Sequence, residues 1–210
     1  MIFLVILLFI NVFRNYFKDI IPLICMVFGF VEIIHLAILT IAIGYIFSGY
    51  ITDPSNRVKT IKKFNWKDFK FALLVSAPGI VIHELGHKFA ALIFGLGATF
   101  KVWFPGLGIA VFLKLISSPF LIVAPGFVEI SGVASQFQTM ITAFAGPLIN
   151  LILWGGAALI LSNAKKLSRR QATFLYLTKK INLFLFVFNM IPIPPLDGSK
   201  VLFNLIGIIF

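Results

Sequence analysis

An all-α polytopic membrane protein with a small β-ribbon is the fold this sequence predicts, on three observations. Of its 210 residues 60% are hydrophobic and only 12% charged, with 25 phenylalanines, whereas a soluble domain carries about 45–50% apolar and about 25% charged residues. The charges cluster, so they leave apolar runs comparable to the roughly 20 residues that cross a bilayer. Residues 95–133 are also apolar, yet glycine and proline punctuate them too often for one continuous helix. The mean hydropathy of +1.05 and the length fit a single membrane-embedded domain over residues 1–210.

About six apolar segments follow in order. The first runs from Met1 to about Phe17, and its residues 1–13 are almost entirely apolar before the first charge, Arg14; without a basic leading region it reads as an uncleaved membrane segment and not as a signal peptide. The second runs from Ile20 to about Tyr50, so residues 1–50 are expected to supply additional N-terminal membrane helices. Residues 51–70, with Arg57, Lys59, Lys62, Lys63, Lys67 and Lys70 against Asp53 and Asp68, read as a solvated loop. A third segment spans Phe71 to Phe94. Residues 95–133 then form short strands or a re-entrant ribbon, which must pack on protein or line a wet cavity because lipid does not tolerate open strand edges. The fourth segment runs from about Ser135 to Leu161 and leads into a basic loop over 163–172. The fifth, Ile181 to Ile191, breaks at Pro192, Pro194 and Pro195, and Val201 to Phe210 is too short to span alone.

The net charge of +11 then reports basic loops on one membrane face and not nucleic-acid binding. If the ribbon returns to the side where the third segment emerged, loops 51–70 and 163–172 share the cytoplasmic face. Cys25 is the only cysteine, which excludes an internal disulfide.

The chemistry concentrates in few residues. Two of the three histidines stand in His83-Glu84-Leu85-Gly86-His87, an H-E-x-x-H inside an apolar helix. Positions i and i+4 share a helix face, so both imidazoles can reach one metal ion. Zinc suits imidazole nitrogen and keeps three protein ligands plus water in catalytic sites; Glu84 is placed to act on that water without coordinating. Gly86 leaves room for another backbone or a substrate strand.

A third ligand must come from the remaining carboxylates. Asp19, Asp53 and Asp68 lie among basic loop residues, which leaves Glu32, Glu129 and Asp197. Asp197 follows the proline-broken run Pro192-Ile193-Pro194-Pro195-Leu196, where irregular backbone at depth implies a polar cavity. Glu129 reads as a ribbon residue facing water. Glu32 and His35, at i and i+3, read as an interhelical pair, with Glu32 placed to help admit water or substrate. Lys88, directly after the second histidine, must snorkel or face a hydrated channel.

The combination HELGH (83–87), Ala145-Gly146-Pro147-Leu148-Ile149-Asn150 and NMIPIPPLDG (189–198) resembles the site-2 protease family of intramembrane zinc metalloproteases, across roughly residues 71–200, as a catalytic core. Ala124-Pro125-Gly126 resembles the ribbon segment of its compact archaeal and bacterial members. The resemblance implies His83, His87 and Asp197 as ligands of one Zn2+ per chain, Glu84 as catalytic base, and Asn150 near the active site assisting substrate or oxyanion binding. It also implies transmembrane protein substrates in a cell membrane. A metal-ion transporter, testable by zinc uptake into vesicles, and a non-catalytic membrane scaffold are the alternatives; the first needs a path of ligands where one compact set is visible, and the second needs no Glu84.

Overall fold

A computed structural model of the chain describes residues 27–55, 64–118 and 126–210. The first predicted segment, the loop charges at 57–63 and the Ala124-Pro125 part of the turn lie outside these residues. Among the described residues the order is α1 (Phe30–Phe47), α2 (Trp66–Ile93), β1 (Gly97–Val102), α3 (Phe104–Leu115), β2 (Gly126–Ser131), α4 (Gln136–Asn163), α5 (Arg169–Asn189) and α6 (Asp197–Ile209). The chain is an all-α membrane protein with a two-stranded ribbon between its second and fourth described helices, as the punctuation of residues 95–133 predicts.

Local chemistry sets the boundaries. Asn65 caps α2 by accepting from the backbone N–H of Lys67 at 2.8 Å, so the helix starts at Trp66 and not at Phe71, and the loop before it is shorter than its charges suggest. Capping boxes open α4 at Ser135 with Gln138 and α5 at Ser168 with Gln171; each satisfies two backbone donors reciprocally. The second box starts α5 at Arg169, well before Ile181, so the basic loop shrinks to residues 164–168. Between the strands, Pro105 stands in the first turn of α3, where a missing N–H costs nothing. Glycine at 95, with φ +74°, closes α2 in the left-handed conformation.

Helix α4 is the hub, packed on α2, α5 and α6, while α1 packs on α2 and β1. Glu32, in the first turn of α1, meets Lys88 late in α2, and Gly44 meets Phe69 and Leu73 early in α2, so the two run antiparallel. One apolar core joins Leu39, Ile43 and Ile46 of α1 to Ala77 and Ile80 of α2, Phe100 of β1 and Ala110 of α3. Helices α1, α2 and α4 are long and apolar enough to cross a membrane, and many large side chains such as Ile152, Leu159 and Phe184 point outward. Such a surface suits lipid and not water.

Strands β1 and β2 pair antiparallel from Gly97↔Ser131 to Val102↔Gly126. The opposite edge of β1 is covered by an ion pair. Lys88 Nζ lies 2.7 Å from Glu32 Oε1 and donates to the Ala98 carbonyl at 2.7 Å, while Phe100 N–H donates to Glu32 Oε1 at 2.6 Å. Lys88 therefore neither snorkels nor faces a channel: its side chain is 1% exposed and that of Glu32 3%. Backbone groups alternate sides along a strand, so among the described residues the uncovered edge of the ribbon is that of β2, at Val128 and Ile130.

At the other end of α2, Arg170 Nη2 lies 3.1 Å from Asp53 Oδ2, and Asp53 N–H donates to Asp68 Oδ1 at 2.8 Å. Burial pushes the Asp53 carboxyl up, but hydrogen bonds from Ser55 and the charges of Arg170 and Lys67 outweigh it and hold the group below the usual carboxylate range. This contribution to stability is present above the unfolded-state value near 3.9 and is lost as pH falls through the lower folded value. Thermal unfolding in detergent should find Asp53→Asn less stable than the parent at pH 7, with the deficit fading below about pH 4.

Removing one partner of a buried pair strands a charge at a cost of about 3–5 kcal/mol. Lys88→Met and Glu32→Gln should each lower the unfolding midpoint markedly, and the double replacement should recover part of the loss; equal losses in all three would show that the pairing is not what matters.

Candidate active site

The site begins with helix α2. His83 stands about 26 Å along the axis from Trp66 and about 15 Å before Ile93, at about 1.5 Å per residue. His83 and His87 are both buried, with Nε2 atoms 3.1 Å apart. Asp197, the first residue of α6, brings Oδ2 to 3.3 Å from each of those nitrogens. The other two carboxylate candidates lie elsewhere: Glu32 serves Lys88 and Phe100, and Glu129 pairs with Lys101 at 2.6 Å on the exposed ribbon.

The opposite faces of the imidazoles are fixed. His87 Nδ1 lies 2.8 Å from the Thr142 carbonyl; a carbonyl only accepts, so that nitrogen carries the proton and Nε2 presents a lone pair. His83 Nδ1 lies 2.6 Å from Asn150 Oδ1. The orientation of this amide follows from its other end, because Asn150 Nδ2 donates to Gly79 O and to Asn182 Oδ1, each at 2.9 Å. Both histidines thus have the second hydrogen bond that sets tautomer and ring angle in metal sites. The polar atoms of Asn150, which is fully buried, are all engaged by the protein.

Two glycines allow the approach of α4 to α2. A Cβ on Gly86 would lie 2.9 Å from the Ala145 carbonyl oxygen, and one on Gly146 would overlap His87 Nε2 and come within 2.8 Å of His83 Cε1. Gly198 is equally constrained, with its backbone against the carbonyl of Met190, and this seats the first turn of α6. Glu84, partly exposed on the same helix turn, makes no hydrogen bond or ion pair with the described residues and keeps its carboxylate available.

Three lone-pair donors facing one another at 3.1–3.3 Å repel unless a cation lies between them. Four donors at about 2.0–2.1 Å around a tetrahedral zinc stand about 3.3–3.4 Å apart, so the spacing fits one such ion. Among the described residues, His83, His87 and Asp197 are the group of donors able to hold a metal.

The family model of peptidase family M50 matches residues 154–210. A candidate zinc metalloprotease of Methanocaldococcus jannaschii is 34% identical over 176 residues, which cover 81% of this chain and 83% of that protein. The chain belongs to peptidase family M50. A candidate zinc metalloprotease of Synechocystis is 32% identical over 135 residues, 64% of this chain but 31% of the longer cyanobacterial protein. This M50 peptidase is a site-2-type zinc metalloprotease embedded in a membrane, and its donor set fits the metal.

The residues that support the site were less evident from sequence. Gly146 sat in a recognisable motif without an assigned role, and Asn182 was one amide in an apolar segment. Gly146→Ala should displace the imidazoles and sharply lower zinc content of the purified protein by elemental analysis, while the helical circular dichroism signal persists; full zinc content would mean that α4 can retreat.

Proposed function

We propose that the protein is an intramembrane endopeptidase that hydrolyses peptide bonds in or near transmembrane segments, with His83, His87 and Asp197 holding one zinc ion and Glu84 as general base. The observation that carries this reading is the convergence of Asp197 of α6 on His83 and His87, well inside α2, a helix able to span the bilayer. When bound, the ion supplies Lewis-acid polarisation of a carbonyl and acidification of water. Glu84 accepts the proton of the attacking water on a carboxylate oxygen as the C–O bond forms, then returns it to the amide nitrogen as the C–N bond breaks. Asn150 acts through His83, whose ring it orients, and not on the substrate.

A helical substrate hides its carbonyls in intrahelical bonds, so it must be partly unwound to react. The ribbon offers an edge for the extended segment by strand addition. Since Lys88 and Glu32 cover the β1 edge, the β2 edge is the one that can receive it among the described residues. The Asp53–Arg170 pair supports placing loops 51–70 and 163–172 on one face, and their basic charge favours the cytoplasmic side of a multi-pass protein. Residues 71–200 form the catalytic core in this reading.

Cleavage of a reconstituted transmembrane substrate, with fragments identified by mass spectrometry, tests the proposal. Glu84→Gln should abolish cleavage with zinc retained, and Asp197→Asn should lower zinc occupancy sharply; full activity of the first variant would refute the assigned base. Val128→Pro and Ile130→Pro remove N–H groups from the free edge and should slow cleavage by about tenfold, the weight of one or two hydrogen bonds, at unchanged zinc content. Unimpaired cleavage in both would remove the ribbon from substrate binding.

A further inference from the structure

We propose that Asn182 of α5 is a positioning residue for the metal centre, locking the Asn150 amide in the orientation that makes His83 a ligand. The inference rests on the reading of His83 as a zinc ligand. An asparagine amide can face His83 with either end. With Oδ1 toward His83, as here, the ring proton sits on Nδ1 and the Nε2 lone pair faces His87 and Asp197. A flipped amide would present its NH2 group to Nδ1, shift the ring proton to Nε2, and place an N–H where a ligand lone pair is required.

The flip is opposed by the two acceptors at the far end, Gly79 O and Asn182 Oδ1, both 2.9 Å from Asn150 Nδ2. Turning Oδ1 toward them would set acceptor against acceptor. Gly79 O is held by the backbone of α2, but Asn182 Oδ1 belongs to a side chain that could itself rotate. It is held in turn, because Asn182 Nδ2 donates to the Thr178 carbonyl at 2.8 Å. The polarity of the chain of bonds is thereby fixed from Thr178 on α5 through Asn150 on α4 to His83 on α2.

Packing alone does not account for an asparagine here. Asn182 is fully buried at the start of the apolar half of α5, after Lys179 and Lys180, and an amide gains nothing from burial itself. It also borders an apolar cavity of about 370 Å³ between α2, α4 and α5, lined by Pro78, Leu153 and Phe174, so a leucine of similar size has room. A packing role would tolerate that leucine; a positioning role would not.

Zinc dissociation constants, measured by chelator competition on the full chain in detergent, decide between them. Asn182→Leu should weaken zinc binding about tenfold, the lower end of the 10–100-fold seen when partners of metal ligands are removed, with the helical circular dichroism signal of the parent retained. Asn182→Asp keeps an acceptor opposite Asn150 Nδ2 and should restore affinity. In an Asn150→Leu background Asn182→Leu should add nothing further, because its path to the metal is already cut. Unchanged affinity in Asn182→Leu, full additivity in the double variant, or no rescue by aspartate would each overturn the proposal. Should the leucine variant not fold, Asn182→Ala is read the same way. His83→Ala separates the two levels: if it retains zinc, the assignment of the ligand is wrong, whereas loss of zinc there with parental affinity in Asn182→Leu rejects Asn182 alone.

Discussion

The backbones of α2 and α4 meet where Gly86 faces the Ala145 carbonyl and Gly146 faces both imidazoles, and the geometry of the centre depends on that contact. Small residues let helices approach closely in an apolar medium, where burial from water supplies no association force and packing and hydrogen bonds must. At this distance α4 contributes the Thr142 carbonyl to His87 and the Asn150 amide to His83. An added methyl at either glycine would move the polar partners away together with the backbone. Close packing and ligand orientation are therefore a single property of this interface.

A second constraint is the low dielectric of the body, in which an unpaired polar group is costly. Lys88 illustrates how it shapes the fold beyond the centre. Its ammonium is satisfied by Glu32 from α1 and by the Ala98 carbonyl, and Glu32 in turn accepts from Phe100 N–H. One pair thereby attaches α1 and the ribbon to the helix that carries the histidines, and covers one edge of β1. An edge with unsatisfied groups would be open to any extended chain; sealing one edge leaves the ribbon a single side on which to accept one.

Elements whose signal is local were legible in the sequence. The apolar runs located α1, α2 and α4, the i and i+4 spacing placed the two histidines on one face, and the glycines and prolines of residues 95–133 announced a ribbon. Helix α3 inside that stretch was missed because Pro105 reads as a breaker unless it is recognised as sitting in a first turn. The start of α5 was missed because its charges masked the Ser168–Gln171 capping box. The proline-broken backbone favoured Asp197 over Glu32 and Glu129, but its approach to the two histidines was not legible, since proximity across so much chain is set by tertiary packing. Lys88 was misread for the same reason: its partner lies on another helix, and sequence alone shows a lone cation in an apolar run.

Irregular backbone beside a buried cluster of donors would ordinarily leave N–H groups without acceptors, and the turn before Asp197 shows how this chain avoids that. Within residues 191–196, Pro192, Pro194 and Pro195 have no N–H to satisfy. The remaining three donors are all paired: Ile191 N–H with Phe188 O at 3.2 Å, Ile193 N–H with Ile191 O at 2.8 Å, and Leu196 N–H with Ile193 O at 2.9 Å. The turn closes its own donors without water, so it can lie inside an apolar body. Gly198 then fits against Met190, and Asp197 enters α6 in its first turn, where the helix dipole favours a carboxylate. The proline run that reads as a break in a membrane helix is thus the feature that lets the Asp197 carboxylate reach the two histidines.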